Sequence, residues 1–129
     1  MDISNGIIKI DNELVVKPNF TFEQFKETKF YNNQDGIRII YLDGQQIIEN
    51  RKYIVSLFFL NGKIYMLSLI CCEQEYSEND ECKRKDLHDI VLHEFGIVDN
   101  GKFEWGEIES VYDARSNVSS INIIYYVST

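Results

Sequence analysis

The chain has little of what staples, hinges or anchors a protein. One proline in 129 residues excludes a proline-rich linker or a collagen-like repeat. Three cysteines are an odd count, and Cys71 and Cys72 are adjacent. Neighbours on a strand point to opposite faces, so a disulfide framework is not expected, and free thiols fit a reducing cytoplasm. Seven glycines stand singly, so no glycine-rich loop cradles a phosphate. No Gly-x-Ser-x-Gly elbow is present. The two histidines, His88 and His93, are five apart, about 500° of helical rotation, and share no face. His93-Glu94 lacks a zincin's second histidine, because position 97 is Ile97. Cys71, Cys72, Cys82 and His88 match no zinc-site spacing. Neither a metal nor another cofactor is expected.

Positive charge is also scarce. Thirteen Lys and Arg face twenty-one Asp and Glu, a net charge of −8. That balance argues against nucleic acid and anionic lipid as partners, and it suits a basic protein. No apolar run reaches the roughly 20 residues of a membrane span, and Met1-Asp2-Ile3-Ser4-Asn5 has no export-signal character. A cytoplasmic location is therefore expected.

What is present is a foldable domain. Hydrophobic residues make up 44% and aromatics 13%. The length suits one domain, residues 1–129. Its centre is Lys52–Leu60, Asn61-Gly62, Lys63–Cys72: two apolar runs around the dipeptide best suited to a two-residue hairpin turn. A plain register pairs Phe59 with Ile64, Leu57 with Met66, Val55 with Ser68 and Tyr53 with Ile70. On the other face it pairs Phe58 with Tyr65, Ser56 with Leu67 and Ile54 with Leu69. Both faces are apolar. One is expected against a helix, the other beneath more of this chain or a partner.

The rest follows in order. Gly6–Ile10 and Glu13–Lys17 predict a hairpin around Asp11-Asn12, ended by Pro18. Thr21-Phe22-Glu23-Gln24 matches a capping box and predicts a helix to about Thr28. Ile37–Leu42 and Gln46–Glu49 read as strands either side of Asp43-Gly44. Leu87, Ile90, Val91 and Phe95 predict the buried stripe of a helix over Lys83–Phe95, with Gly96 at its end and both histidines in solvent. Strands follow around Asp99-Asn100-Gly101, over Glu107–Tyr112 and over Ser120–Val127. The expected fold is α+β: a largely antiparallel, twisted meander with two helices.

Two stretches stand out as surface. Glu73, Glu75, Tyr76, Glu78, Asp80 and Glu81 form an aperiodic acidic loop. Trp105, Glu107, Glu109, Tyr112 and Asp113 mix rings with carboxylates, and Glu107 and Glu109 share one strand face. Rings supply buried area and acids supply complementarity to a basic protein. The plainer reading makes Trp105 and Tyr112 core and the acids a solvated rim.

The short helix Phe20–Phe30, the aromatic-rich meander, and the tail Trp105-Gly106, Tyr112-Asp113-Ala114-Arg115 and Ile121–Tyr125 together resemble the small immunity proteins of bacterial contact-dependent and other polymorphic toxin systems. The resemblance implies a cytoplasmic protein without catalytic activity that neutralises a cognate toxin domain. Many such toxins are basic nucleases. Two other readings remain open: a small-ligand or enzymatic domain with a pocket near Tyr53, Ser68 or the cysteines, and a structural homo-oligomer.

Overall fold

The computed structural model describes residues 1–98 and 100–126. Its strands are β1 (Ile8–Lys9), β2 (Val15–Val16), β3 (Ile39–Tyr41), β4 (Gln46–Ile48), β5 (Arg51–Leu60), β6 (Lys63–Cys71), β7 (Gly101–Lys102), β8 (Gly106–Asp113) and β9 (Val118–Tyr125). The helices are α1 (Phe22–Phe25) and α2 (Arg84–Glu94). Asp99, in a predicted turn, and Val127, at the end of the predicted last strand, lie outside the described residues.

The expected α+β class holds, with one large antiparallel sheet in the order β3–β5–β6–β9–β8–β7 and β4 also on β5. Its connectivity is more than one meander. A first meander ends at β6, a second runs β7–β8–β9, and the antiparallel β6–β9 pair joins them. The central hairpin forms at Asn61-Gly62, with φ of 52° and 77°. Its register differs from the plain one after a single step. Phe59 faces Ile64, but Phe58 faces Met66, Leu57 faces Leu67 and Tyr53 faces Cys71. Tyr65 is the extra residue of a bulge, and it joins Met66 opposite Phe58. The shift places Leu67, Leu69 and Cys71 beside Leu57, Val55 and Tyr53, all on the core face.

The first hairpin pairs Ile8 with Val16 around a wider loop than Asp11-Asn12 alone. The Asp11 carboxylate closes it by accepting from the Glu13 and Leu14 amides at 2.8 and 2.9 Å. The capping box of α1 forms with both reciprocal hydrogen bonds, although the helix stops at Phe25. A two-residue turn at Glu49-Asn50, φ 50° and 69°, joins β4 to β5.

The face of α2 is rotated from the predicted stripe. His88, Val91 and Leu92 are buried, whereas Ile90 is 57% exposed. The sequence pattern misplaces His88 because the ring counts as polar. In the structure its Nε2 accepts the Cys71 N–H at 3.0 Å, which leaves Nδ1 buried without a partner. Gly96 ends the helix in the left-handed region, φ 80°. Its amide bonds the His93 carbonyl, and the Ile97 amide bonds that of Leu92.

His88 makes stability depend on pH. Burial is the largest cause, followed by the nearby Arg84 charge, that holds its pKa down at about 4. Lys85 adds to this, and Glu81 and Asp89 oppose it. An unfolded histidine titrates near 6.5, so between these values the unfolded chain binds the extra proton. The contribution is complete above pH 6.5 and is lost as pH falls toward 4, amounting to about 3 kcal/mol. Urea denaturation across this range should show that slope in the wild type and a much shallower one in His88→Gln.

Candidate functional site: an open, acid-edged sheet face

Among the described residues, the large sheet is covered on one side only. α2 and the β1–β2 and α1 region close the face formed by Ile40, Leu57, Leu67, Ile123 and Ile108. Phe22 and Phe25 meet Phe59 on that same side. The cross-strand neighbours on the opposite face are Ile39, Phe58, Met66, Ile124 and Glu107 in one row, and Tyr41, Ser56, Ser68, Asn122 and Glu109 in the next. A further row brings Ile54 beside Ile70.

This second face is open. Tyr41 is 69% and Ile54 40% exposed, and Phe58, Met66, Ile70 and Ile124 are partly exposed. None of these six belongs to the core cluster or its partly buried periphery. The ring of Phe58 meets that of Tyr65 at 6.0 Å, edge to face. The sequence expectation that something covers both faces is therefore corrected for the chain itself. Among the described residues no segment of the chain buries the second face.

The acidic residues of the two predicted stretches form two groups. Glu107, Glu109 and Asp113 alternate along β8 and project onto the open side. Glu109 accepts from Asn122 at 3.3 Å, and none of the three has a Lys or Arg within ion-pair distance among the described residues. The second group sits at the end of the sheet. There the predicted aperiodic loop is partly a 3-10 helix, Glu78–Lys83, leading into α2. Asn117 ties the groups together: it accepts from the Tyr112 hydroxyl at 2.6 Å and donates to the Glu78 carbonyl at 2.9 Å.

Several predicted site residues hold the fold instead of facing solvent freely. Glu81 pairs with Arg84 at 3.0 Å and accepts the Ser119 amide. Arg84 lies over the Tyr76 ring at 4.8 Å and donates to the Cys71 carbonyl. Glu73 accepts the Lys52 amide at 2.7 Å, and Asp80 pairs with Lys83. Glu75 and Glu78 are exposed.

Trp105 stands at the far end of β8 from Asp113, apart from the acidic loop. Its Nε1 donates to the Ile3 carbonyl at 3.1 Å, its ring stacks on Phe103, and it lies against Gly6.

Chemistry at Cys71 runs the wrong way for an activated nucleophile. Burial pushes the Cys71 thiol up while His88 is pushed down, so both groups favour the neutral form. Tyr53 is buried on the core face, its pKa pushed up to about 12, whereas Ser68 lies on the open face; the two cannot line one pocket. Among the described residues no group of three His, Cys, Asp or Glu is placed to hold a metal ion, and no helix is long and apolar enough to cross a membrane.

The sequence signal for the open face was present in the even-numbered residues of β5, where Ser56 and Lys52 interrupt the apolar run. Comparison of the chain with protein-family models, with curated proteins and with solved structures gives no match in any of the three.

Proposed function

We propose that this chain is a protein-binding module without catalytic activity, an immunity protein that neutralises a basic toxin domain in the cytoplasm. The observation that carries the reading is a set of carboxylates without ion pairs beside the rings and the open sheet face. Internal ion pairs occupy Asp11, Asp35, Glu49, Asp80, Glu81, Asp89 and Glu94. Asp2, Glu13, Glu23, Glu27, Asp43, Glu73, Asp86 and Glu104 stand outside these pairs at other places in the chain, and Glu75, Glu78, Glu107, Glu109 and Asp113, also without an ion-pair partner among the described residues, fall in the two acidic, ring-bearing stretches. Glu75 precedes Tyr76 directly, Glu78 meets Asn117, the partner of Tyr112, and Glu107, Glu109 and Asp113 border the open face. A surface so arranged favours encounter with a cationic protein and disfavours an anionic one. The buried, neutral Cys71 and His88 support a binding role over nucleophilic catalysis by that pair.

The test is co-expression and pull-down with the product of the gene immediately upstream. The reading expects that product to be a basic, toxin-like domain, retained by this chain and rendered harmless by it. Association should slow several-fold when salt rises from about 0.05 to 0.5 M, because exposed charges are screened. A neighbour with no such domain, and no basic protein retained, would sink the reading.

A further inference from the structure

We propose that the basic partner docks on the open face of the large sheet, with Phe58 and Met66 at the centre of the contact and the β8 carboxylates along one border. This inference rests on the binding reading above and adds where the partner sits.

Three observations converge on the face. Its apolar side chains lie outside the core cluster, so folding leaves them without apolar cover. They are also contiguous. The registers set Ile39, Phe58, Met66 and Ile124 side by side across four adjacent strands, with Ile54 and Ile70 paired nearby. Finally, the bulge at Tyr65 places an additional ring on the same side against Phe58, concentrating aromatic area at the middle of the patch. Contiguous apolar surface edged by polar residues marks interaction sites, and aromatics and methionine are the types enriched there.

Charge decides the occupant. Glu107 and Glu109 stand about 7 Å apart on the same strand face, and Asp113 about 13 Å beyond Glu109. Glu107 follows Ile124 in the row Ile39–Phe58–Met66–Ile124, which Lys102 of β7 ends, and Glu109 ends the row beside it. Lys102 lies across from Glu107 without an ion pair between them. A second copy of this chain would bring a further net −8 to the complex and set like β8 carboxylates near one another. A partner with an apolar centre and Lys or Arg along one flank complements the face. The repulsion between two such chains disfavours self-association.

Three variants separate this inference from the binding reading, with the upstream-encoded domain as the probe. Phe58→Glu places a charge at the centre, Glu107→Lys with Glu109→Lys reverses the border, and Glu75→Lys with Glu78→Lys reverses the acidic end. Thermal unfolding confirms that each variant is folded. Because Phe58 is partly exposed, Phe58→Ser serves as the second central variant if Phe58→Glu does not fold. The expected result is an affinity loss of at least about 30-fold for the central variant. The β8 reversal should slow association and flatten its salt dependence, and the acidic-end reversal, which acts on encounter from outside the docking face, should slow association while leaving dissociation within about twofold. Binding that survives the central and β8 variants but is lost with the acidic-end pair would overturn the docking face and leave the binding reading standing. Binding to no variant and not to the wild type removes both. Sizing of the isolated wild-type chain should give a monomer; a dimer dispersed by Phe58→Glu would assign the face to a second copy and refute the proposal.

Discussion

Gly106→Ala is expected to prevent stable folding. A Cβ at this position would sit 1.9 Å from the Ile124 carbonyl oxygen and 3.0 Å from its carbon, both backbone atoms of the neighbouring strand β9. No rotamer change relieves a clash with backbone, so β8 and β9 must separate where Gly106 faces Tyr125. Tyr125 cannot follow freely: it is buried, and its hydroxyl donates to the Gly6 carbonyl at 2.9 Å. Overpacking of this kind costs about 3 kcal/mol or more, a large share of a small domain's stability. Gly36→Ala provides the contrast. Its φ of +80° is unfavourable for alanine, but nothing lies within 4 Å of the added carbon. That strain alone costs about 1 kcal/mol. Urea denaturation of both variants should rank them far apart; similar midpoints would show that β8 accommodates the methyl group.

The second large effect is expected at Arg84. Past the last β6–β9 pair, Leu69 with Ile121, the two strands no longer pair, and side chains preceding and beginning α2 occupy their backbone groups. His88 takes the Cys71 amide, Arg84 the Cys71 carbonyl, and Glu81 the Ser119 amide. The Ser119 hydroxyl completes the set by donating to the Glu81 carbonyl at 2.8 Å. Arg84 and Glu81 are 12% and 15% exposed at their side chains, so most of their hydration is lost on folding. Arg84→Met leaves the Glu81 carboxylate half-paired and the Cys71 and Gln74 carbonyls without this donor. Removing one partner of such a pair costs about 3 kcal/mol, much of it from the stranded charge. Arg84→Met combined with Glu81→Gln should therefore recover part of the loss. A double-mutant cycle in urea measures that coupling, and strictly additive losses would contradict the account.

The sequence carried local chemistry well and tertiary decisions poorly. Asn61-Gly62 and the Thr21–Gln24 box were readable because their geometry depends on neighbouring residues only. The turn at Glu49-Asn50 was not, because glutamate rarely adopts positive φ. The Tyr65 bulge was invisible for a different reason. Ile64, Tyr65, Met66 and Leu67 suit a strand in either register, and packing of Leu67 and Leu69 into the core selects between them. The rotation of α2 follows from His88, whose polar ring is buried on a backbone amide that no linear pattern reveals.

The acids divide the same way. Glu107 and Glu109 were legible as one face from their spacing. That Glu81 is taken up by Arg84 and Ser119, while Glu75 and Glu78 have no ion pair among the described residues, depends on how the end of the sheet closes. Trp105 has carboxylates as sequence neighbours, yet its spatial neighbours are Ile3, Gly6, Phe103 and Tyr125.

The proposed function is tested most directly by titrating the toxic activity it assigns to the upstream-encoded domain with this chain, at concentrations well above the dissociation constant. A stoichiometric binder abolishes the activity at one chain per toxin domain, with no dependence on incubation time. Progressive loss of activity at a small fraction of one equivalent would mean that the chain turns over its target, and would contradict the account.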